Sequence, residues 1–375
     1  MQVTQFPLIE ISGSPRERGR SYGAAAADRI AEGVRHYTRQ FASFGLDTRS
    51  IHRHVSDYIA RIRAFDHTLV EEMHGIAEGA RVEIDAILLL NARTELLHEA
   101  RVIAKKARPK EEPDGCTGVV ILPEAAEGGR LIHALNWDWK AECATTGVVL
   151  RILRDDGPDI LTFAEAGSLA RTGLNSAGMA VTANYIESDR DFQQPGVPLA
   201  LIRRKILESV SYAKAIELIV STQTLISNNL ILSHKDGVAI NFECAPAETF
   251  ALYPEDGMIV HANHWTSPAA LAKYKDVGIL NTPDSFYRDY RVRELLKSRR
   301  KPLTQADVVG ALSDDFGTPW SVCRPPRPNV RGDLTATVAM FLLDAATGSM
   351  QVTPLPALNP VGSTYTLARE PALAA

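Results

Sequence analysis

The stretch Lys105-Lys106-Ala107-Arg108-Pro109-Lys110-Glu111-Glu112-Pro113-Asp114-Gly115-Cys116-Thr117-Gly118-Val119-Val120-Ile121-Leu122 joins two kinds of sequence. Up to Asp114 it is charged and broken by proline, the composition of a loop. From Thr117 it is apolar and β-branched, the composition of a buried strand. A thiol at the mouth of a strand, directly after a residue with no side chain, can attack its own upstream carbonyl. Such an attack would cut the chain and leave Cys116 as a new N-terminus, so the stretch predicts an enzyme that makes its own active site. Gly115 offers an uncrowded carbonyl, and a loop-to-strand junction is a place where backbone strain can be stored. The freed α-amino group, with an ordinary pKa of about 7.7–8.0 against about 8.5 for a thiol, would serve as the local base. One residue then supplies both nucleophile and base. Asp114-Gly115 is also a common turn dipeptide, and the same residues read as a plain turn into a core strand.

Upstream of this junction the chain reads as helical. After a short strand over residues 3–12, Ser14-Pro15-Arg16-Glu17 is a capping box with proline at the first helical position, opening a long helix to about Phe44. Helical periodicity continues over Ile51–Phe65 and Leu69–Ala80, and Asp85 caps a last helix carrying Ile87, Leu88, Leu90 and Leu96 on one face.

Downstream the chain reads as strands with hairpin turns: Thr117–Leu122, Leu131–Trp139, Val148–Leu153, Ile160–Glu165 and residues 178–185. Helices over Leu199–Glu208 and Tyr212–Val220 are followed by strands at Leu230–His234, Val238–Glu243 and Met258–Ala262. Helices at Tyr287–Leu296 and Gln305–Leu312 precede a closing hairpin, Thr337–Asp344 with Met350–Thr353. Strand meanders interrupted by paired helices indicate an α+β layered fold with helices on stacked sheets. A length of 375 residues by itself suggests two domains.

Three further places carry chemistry. In Asn136-Trp137-Asp138-Trp139, alternation puts Asn136 and Asp138 on one strand face, beside the thiol if this strand pairs with the one starting at Cys116; a solvated strand tip is the plainer reading. His261-Ala262-Asn263-His264 lacks a third ligand at metal spacing, and its asparagine amide is placed to donate to a developing oxyanion. Arg324, in Ser321-Val322-Cys323-Arg324, could orient Asp138 or bind a carboxylate, or lie on the surface. Leu174-Asn175-Ser176-Ala177-Gly178 has Leu174 where a nucleophile elbow needs glycine, and reads as a turn. Tyr287, Arg288, Tyr290, Arg291 and Arg293 read as a solvated helix face with an aromatic inner edge.

Composition excludes several classes. With 41 basic and 45 acidic residues the net charge is −4, and no basic stripe is present, so nucleic acid is not expected as a partner. No apolar run approaches the roughly 20 residues of a membrane span. Met1–Ser14 has no basic-then-apolar leader and Pro371–Ala375 is not a Ser-Lys-Leu address, which makes cytoplasm the expectation. The four cysteines, Cys116, Cys143, Cys244 and Cys323, lack metal or disulfide spacing. No cofactor and no metal are expected.

At these residues the chain resembles the isopenicillin-N acyltransferase family, or acyl-coenzyme A:6-aminopenicillanic acid acyltransferases, which are autoproteolytic cysteine N-terminal nucleophile (Ntn) hydrolases. The blocks that carry the resemblance run in the family's order. They are Gly13–Glu17, Leu90-Asn91-Ala92-Arg93-Thr94-Glu95, Asp114–Thr117, Asn136-Trp137-Asp138, Asn175–Gly178, His261–His264 and Ser321–Arg324.

The resemblance implies a four-layer αββα sandwich and cleavage between Gly115 and Cys116. Cys116 is the implied nucleophile, Asp138 the orienting and processing residue and Asn263 the oxyanion donor, with Asn136 and Arg324 in support. Cutting the 375-residue chain there yields a mainly helical segment of residues 1–115 and a sandwich of residues 116–375 that stay associated as one unit, against the two-domain expectation. The expected partner is a small acyl amide or acyl thioester. Penicillin specificity does not follow, since nothing in the loops identifies a penam. Rival expectations are a choloylglycine- or ceramidase-like amidase of lipid amides, and a non-catalytic binding protein on the same fold.

Overall fold

The computed structural model describes residues 3–43, 48–103, 115–328 and 334–368. The N-terminal third is one short strand and six helices: β1 (Leu8–Ile11), α1 (Pro15–Ala25), α2 (Ala27–Ser43), α3 (Thr48–Phe65), α4 (His67–Ala80), α5 (Ile84–Asn91) and α6 (Arg93–Ile103). The helix expected from Ser14 to Phe44 is broken at Ala26, whose φ of −114° leaves the helical range. Glu17 closes the start of α1 as expected, accepting from the Ser14 N–H at 2.9 Å. Asp85 lies inside the first turn of α5 rather than capping it, and Leu96 belongs to the next helix because the chain turns at Ala92. Helices α1 and α4 touch backbone to backbone: a β-carbon on Gly19 would lie 2.0 Å from the carbonyl oxygen of Glu72.

The rest alternates strands and helices. β2 (Gly115–Ile121), β3 (Ile132–Lys140), β4 (Gly147–Ile152), β5 (Ile160–Glu165), β6 (Thr172–Asn175) and β7 (Met179–Tyr185) precede α7 (Leu199–Leu207) and α8 (Tyr212–Ser221). β8 (Asn228–His234), β9 (Val238–Cys244), β10 (Thr249–Leu252) and β11 (Met258–His261) lead to α9 (Pro268–Leu271), α10 (Asp284–Lys297) and α11 (Gln305–Leu312). The chain closes with β12 (Arg327–Pro328), β13 (Leu334–Asp344), β14 (Ser349–Pro354) and β15 (Ser363–Thr366).

Two sheets form. One has the order β1-β4-β5-β6-β7-β8-β9-β10, the other β11-β2-β3-β13-β14-β15 with β12 paired to β13. Pairing is antiparallel throughout except where β1 lies parallel to β4. The sheets face each other through β2 and β3 against β7, and β13 and β14 against β6. Helix α7 covers the outer face of the first sheet and α10 and α11 that of the second, giving the four layers αββα. The largest core joins Tyr22, Ile30, Ile76 and Leu88 of the N-terminal helices to Val149, Phe163 and Val181 of the first sheet. A second core seats Val292, Leu296 and Val308 of α10 and α11 on Val119, Ile121 and Val260.

Candidate active site

Gly115 and Cys116 open β2 at its pairing with β3: Gly115 stands opposite Asp138 and Cys116 opposite Trp137. Alternation along β3 separates Asn136 and Asp138 from the tryptophans as expected, but the register puts the Cys116 side chain on the tryptophan face, so the polar face meets Gly115 and not the thiol. Trp137 points between the sheets onto Phe163, with ring centroids 5.6 Å apart, and Asp138 points the other way. A β-carbon on residue 115 would lie 2.8 Å from Asp138 Oδ2 and 3.4 Å from Arg324 Nη1, so this position admits only glycine without rearrangement. Asp138 Oδ1 accepts the Thr337 hydroxyl at 2.7 Å, and Oδ2 faces Arg324 Nε at 3.3 Å. Arg324 is held to β13 by its own backbone: its N–H donates to Thr337 Oγ1 at 2.8 Å and its carbonyl accepts from the Thr337 N–H at 3.0 Å.

β11 pairs with β2 through His261 and Gly118, and the same register carried two residues on brings Asn263 opposite Cys116. The Cys116 N–H donates to Asn263 Oδ1 at 2.8 Å. Arg288 of α10, wholly buried, completes the clamp. Its Nη1 donates to the Cys116 carbonyl at 2.7 Å and its Nη2 to Asn263 Oδ1 at 2.8 Å. Its Nε donates to Asp284 Oδ2 at 2.7 Å, and Asp284 also takes a hydrogen bond from Arg324 Nη2. Burial would raise the Asp284 carboxyl, but Arg288 and Arg324 outweigh it and hold the group below the usual carboxylate value. One half-buried carboxylate thus ties the cation on the Cys116 carbonyl to the cation on Asp138.

Arg171, at the entry to β6, lies over the Trp137 ring at 4.1 Å from its centroid and donates from Nη2 to Cys116 Sγ at 3.6 Å. Positive charge therefore sits beside the sulfur, the setting in which a cysteine acts as a nucleophile. Cys143 has the Arg93 guanidinium near it, but burial outweighs that charge. Burial pushes Cys244 and Cys323 up to about 12 and Cys143 well above its ordinary value, away from the thiolate form.

Residues 125–353 match the family model described as acyl-coenzyme A:6-aminopenicillanic acid acyl-transferase, more than half of the chain. The chain belongs to this family. It is similar to the 40 kDa form of the acyl-coenzyme A:6-aminopenicillanic-acid-acyltransferase of Emericella nidulans, 29% identical over 329 residues that cover 84% of each chain. Among solved structures it is similar to a variant of the conjugated bile acid hydrolase from Clostridium perfringens (10% identity, 67% of this chain and 92% of that one, TM-score 0.49). It is also similar to penicillin V acylase from Agrobacterium tumefaciens (16% identity, 64% and 83%, TM-score 0.41). The αββα layering is that of the chain's own two sheets and the helices on their outer faces. As a member of this acyltransferase family the chain is an enzyme of acyl transfer at amide bonds, acting on small acyl compounds. No helix among the described residues is long and apolar enough to cross a membrane.

Gly115, Cys116, Asp138, Asn263 and Arg324 gather within this family member's network. Asn136 serves differently: its Nδ2 donates to Leu312 O at 2.7 Å and Val322 O at 3.1 Å, bracing α11 and the segment that delivers Arg324. Asn263 has its donor end turned away from the thiol, with Nδ2 on Tyr185 O at 2.7 Å. In the uncut chain it is an acceptor for the Cys116 nitrogen. His261 is absorbed by Glu243, Nε2 to Oε1 at 2.9 Å, and Glu243 also braces the Thr266 and Ser267 N–H groups.

The reading of residues 287–293 as a solvated face is corrected. Tyr290 is exposed, but Arg288 is fully buried and is the residue that fixes Cys116 and Asn263. A signal was present in the Asp284–Arg288 spacing of one helical turn, which lets a buried arginine carry its own counter-charge. Arg171 had no such signal; only the sandwich brings it to the sulfur.

Proposed function

We propose that this protein is an autoproteolytic, N-terminal-cysteine amidohydrolase or acyltransferase, and that Cys116 is its nucleophile. The observation that carries the reading is the clamp on the Gly115–Cys116 bond. Asp138 lies over a glycine that cannot carry a side chain, Asn263 and Arg288 hold the amide nitrogen and carbonyl of Cys116, and Arg171 lies on its sulfur.

In the first step Sγ attacks the Gly115 carbonyl carbon. The C–S bond forms, the Gly115–Cys116 C–N bond breaks and the departing nitrogen takes the proton. Water then cleaves the thioester, returning the thiol and leaving a carboxylate on Gly115. Asp138, fixed by Thr337 and Arg324, orients this step. The new α-amino group inherits the place of the Cys116 N–H against Asn263 Oδ1 and serves as the base for the second reaction.

There the thiolate attacks an external amide or thioester, forms an acyl-cysteine and passes the acyl group to water or an amine. Oxyanion donation by Asn263 would use the Nδ2 hydrogen that Tyr185 O does not take, or the amide would leave Tyr185 O once the chain is cut. We assign hydrolysis before transfer, because water needs no acceptor pocket. The segments 1–115 and 116–375 remain one structural unit after cleavage, since β1 is a strand of the larger sheet and the N-terminal helices share its core. The cytoplasm is the compartment we infer, where four unpaired thiols stay reduced.

Intact-mass measurement of purified protein tests this. Wild type should separate into two pieces with Cys116 at the start of the second, and Cys116→Ala should stay at 41.0 kDa. An intact wild-type chain, or a cut elsewhere, overturns the reading.

A further inference from the structure

Strand β11 ends at His261, and the peptide that joins Ala262 to Asn263 is gripped by side chains instead of by a ladder. Its carbonyl oxygen accepts the Asn184 Nδ2 hydrogen at 3.0 Å and lies 2.9 Å from His261 Nδ1. Its N–H donates to Ser285 Oγ at 2.6 Å. Side chains from β7, β11 and α10 thus fix the peptide plane from which Asn263 springs.

The hydrogens on the His261 ring follow from its partners. Nδ1 faces a carbonyl oxygen, which only accepts, so Nδ1 carries a hydrogen. Nε2 faces Glu243 Oε1 at 2.9 Å. Glu243 is spent as an acceptor: Oε1 takes the Thr266 N–H at 2.6 Å and the Thr266 hydroxyl at 2.7 Å, and Oε2 takes the Ser267 N–H at 3.0 Å. Burial would raise this carboxyl, but the His261 ring and Thr266 outweigh it and hold the group below the usual carboxylate value. An ionised Glu243 leaves Nε2 as the donor, and a ring that donates at both ends is an imidazolium. The two side chains are sealed from solvent, at 1% and 0% exposure. His264, whose ring lies nearly parallel at 6.3 Å, is brought down to about 4 by burial and by His261, and Asp289 and Arg288 of α10 act on it with opposite signs.

A buried ion pair is no more stabilising than apolar side chains of the same volume, so this one calls for a use beyond stability. We propose that His261 is a positioning residue of the acyl-transfer site, charged through a proton on each ring nitrogen, and that with Glu243 it holds the Ala262–Asn263 peptide still for the Asn263 amide. The proposal rests on Cys116 as the nucleophile and Asn263 as its oxyanion partner. The Asn263 side chain accepts from the Cys116 N–H before the cut and donates to an oxyanion after it, two duties that need one fixed backbone.

Nitrogen-15 spectroscopy of the purified full-length protein, with histidine labelled at both ring nitrogens, tests the charge. The His261 signals are those that vanish in His261→Gln, and at neutral pH each nitrogen should show a directly bonded hydrogen. In Glu243→Gln, which keeps an oxygen facing Nε2 but no charge, one of the two should lose it. Turnover of an acyl amide tests the positioning. In both variants kcat should fall by about tenfold, the size of one charged hydrogen bond, with KM unchanged, because Asn263 acts on the transition state. A bare ring nitrogen in the wild type, wild-type kcat in the variants, or a loss confined to KM overturns the proposal. Removing one partner of a buried pair can unfold a chain; the wild-type ring spectrum decides the charge in that event, its signals assigned by sequential connectivity. Self-cleavage is read from the intact mass of the same samples, so an uncut wild type counts against Cys116 and a neutral ring against His261.

Discussion

The carboxylate of Asp138 occupies the space in which residue 115 would carry a β-carbon, so Gly115 and Asp138 face each other across the β2–β3 ladder with nothing between them. The relation joins two requirements of one bond: the carbonyl to be attacked is unshielded, and an ionisable group held by Thr337 and Arg324 stands over it.

Gly115→Ala should therefore slow self-cleavage by at least about tenfold while costing about 1–3 kcal/mol of stability, the range for forcing an added methyl into a packed site. The added β-carbon meets Asp138 Oδ2 at 2.8 Å and Asp138 Cβ at 3.1 Å, and the carboxylate must move off the bond. The fraction of intact chain followed by mass against time decides it; cleavage at the wild-type rate would show that the clearance is immaterial.

Asn263→Asp separates the two duties assigned to Asn263. The carboxylate keeps an acceptor for the Cys116 N–H and for Arg288, but loses the donor now on Tyr185 O. Cleavage should persist, while turnover of an acyl amide by the cleaved enzyme should fall by about 10²–10³-fold, the usual loss for one oxyanion donor. Equal loss of both activities would assign Asn263 to positioning alone.

Arg288→Met should destabilise the fold by about 3–5 kcal/mol, because it strips a buried network of one partner. Asp284 would keep Arg324 alone, and Asn263 Oδ1 would lose one of its two donors. A drop in the urea midpoint with an unchanged slope measures this, and uncut protein should accumulate alongside it.

The half of this site that lies on one hairpin was legible in the sequence. Two strands joined by Glu127-Gly128-Gly129-Arg130 had to pair, but the register was not legible: it puts Asp138 opposite Gly115 and leaves the Cys116 side chain on the tryptophan face. Asn263 was legible as a polar strand end. Arg171 and Arg288 were not, because arginine has the same sequence signature whether it coats a helix or neutralises a buried carboxylate. What buries them is the stacking of two sheets and the docking of α10, which no local periodicity reports. The break at Ala26 was hidden for a related reason: residues 15–43 form helix on both sides of it, and only packing bends the chain there.

His133 gives the fold a pH dependence away from the catalytic centre. It is buried between the sheets, with Ser233 Oγ and Thr182 Oγ1 each at 2.8 Å from a ring nitrogen, and burial brings its pKa down from 6.5 to about 3. Between those values the unfolded chain binds a proton that the folded chain refuses, so stability falls as pH drops from about 7 toward 3. His264, brought down to about 4 by burial, acts in the same sense. The thermal midpoint of wild type should fall more between pH 7 and pH 4 than that of His133→Gln; parallel curves would exclude the contribution.

β1 is the outermost strand of the eight-stranded sheet and, among the described residues, the only one there that comes from before the proposed cut. Severing the chain after residue 115 would thus turn a covalent tether into an interlocked one. The freed piece could not diffuse away without stripping a strand from its neighbour and baring an adhesive sheet margin. Maturation of such a molecule is irreversible in chemistry yet silent in shape, and its two halves share a single lifetime.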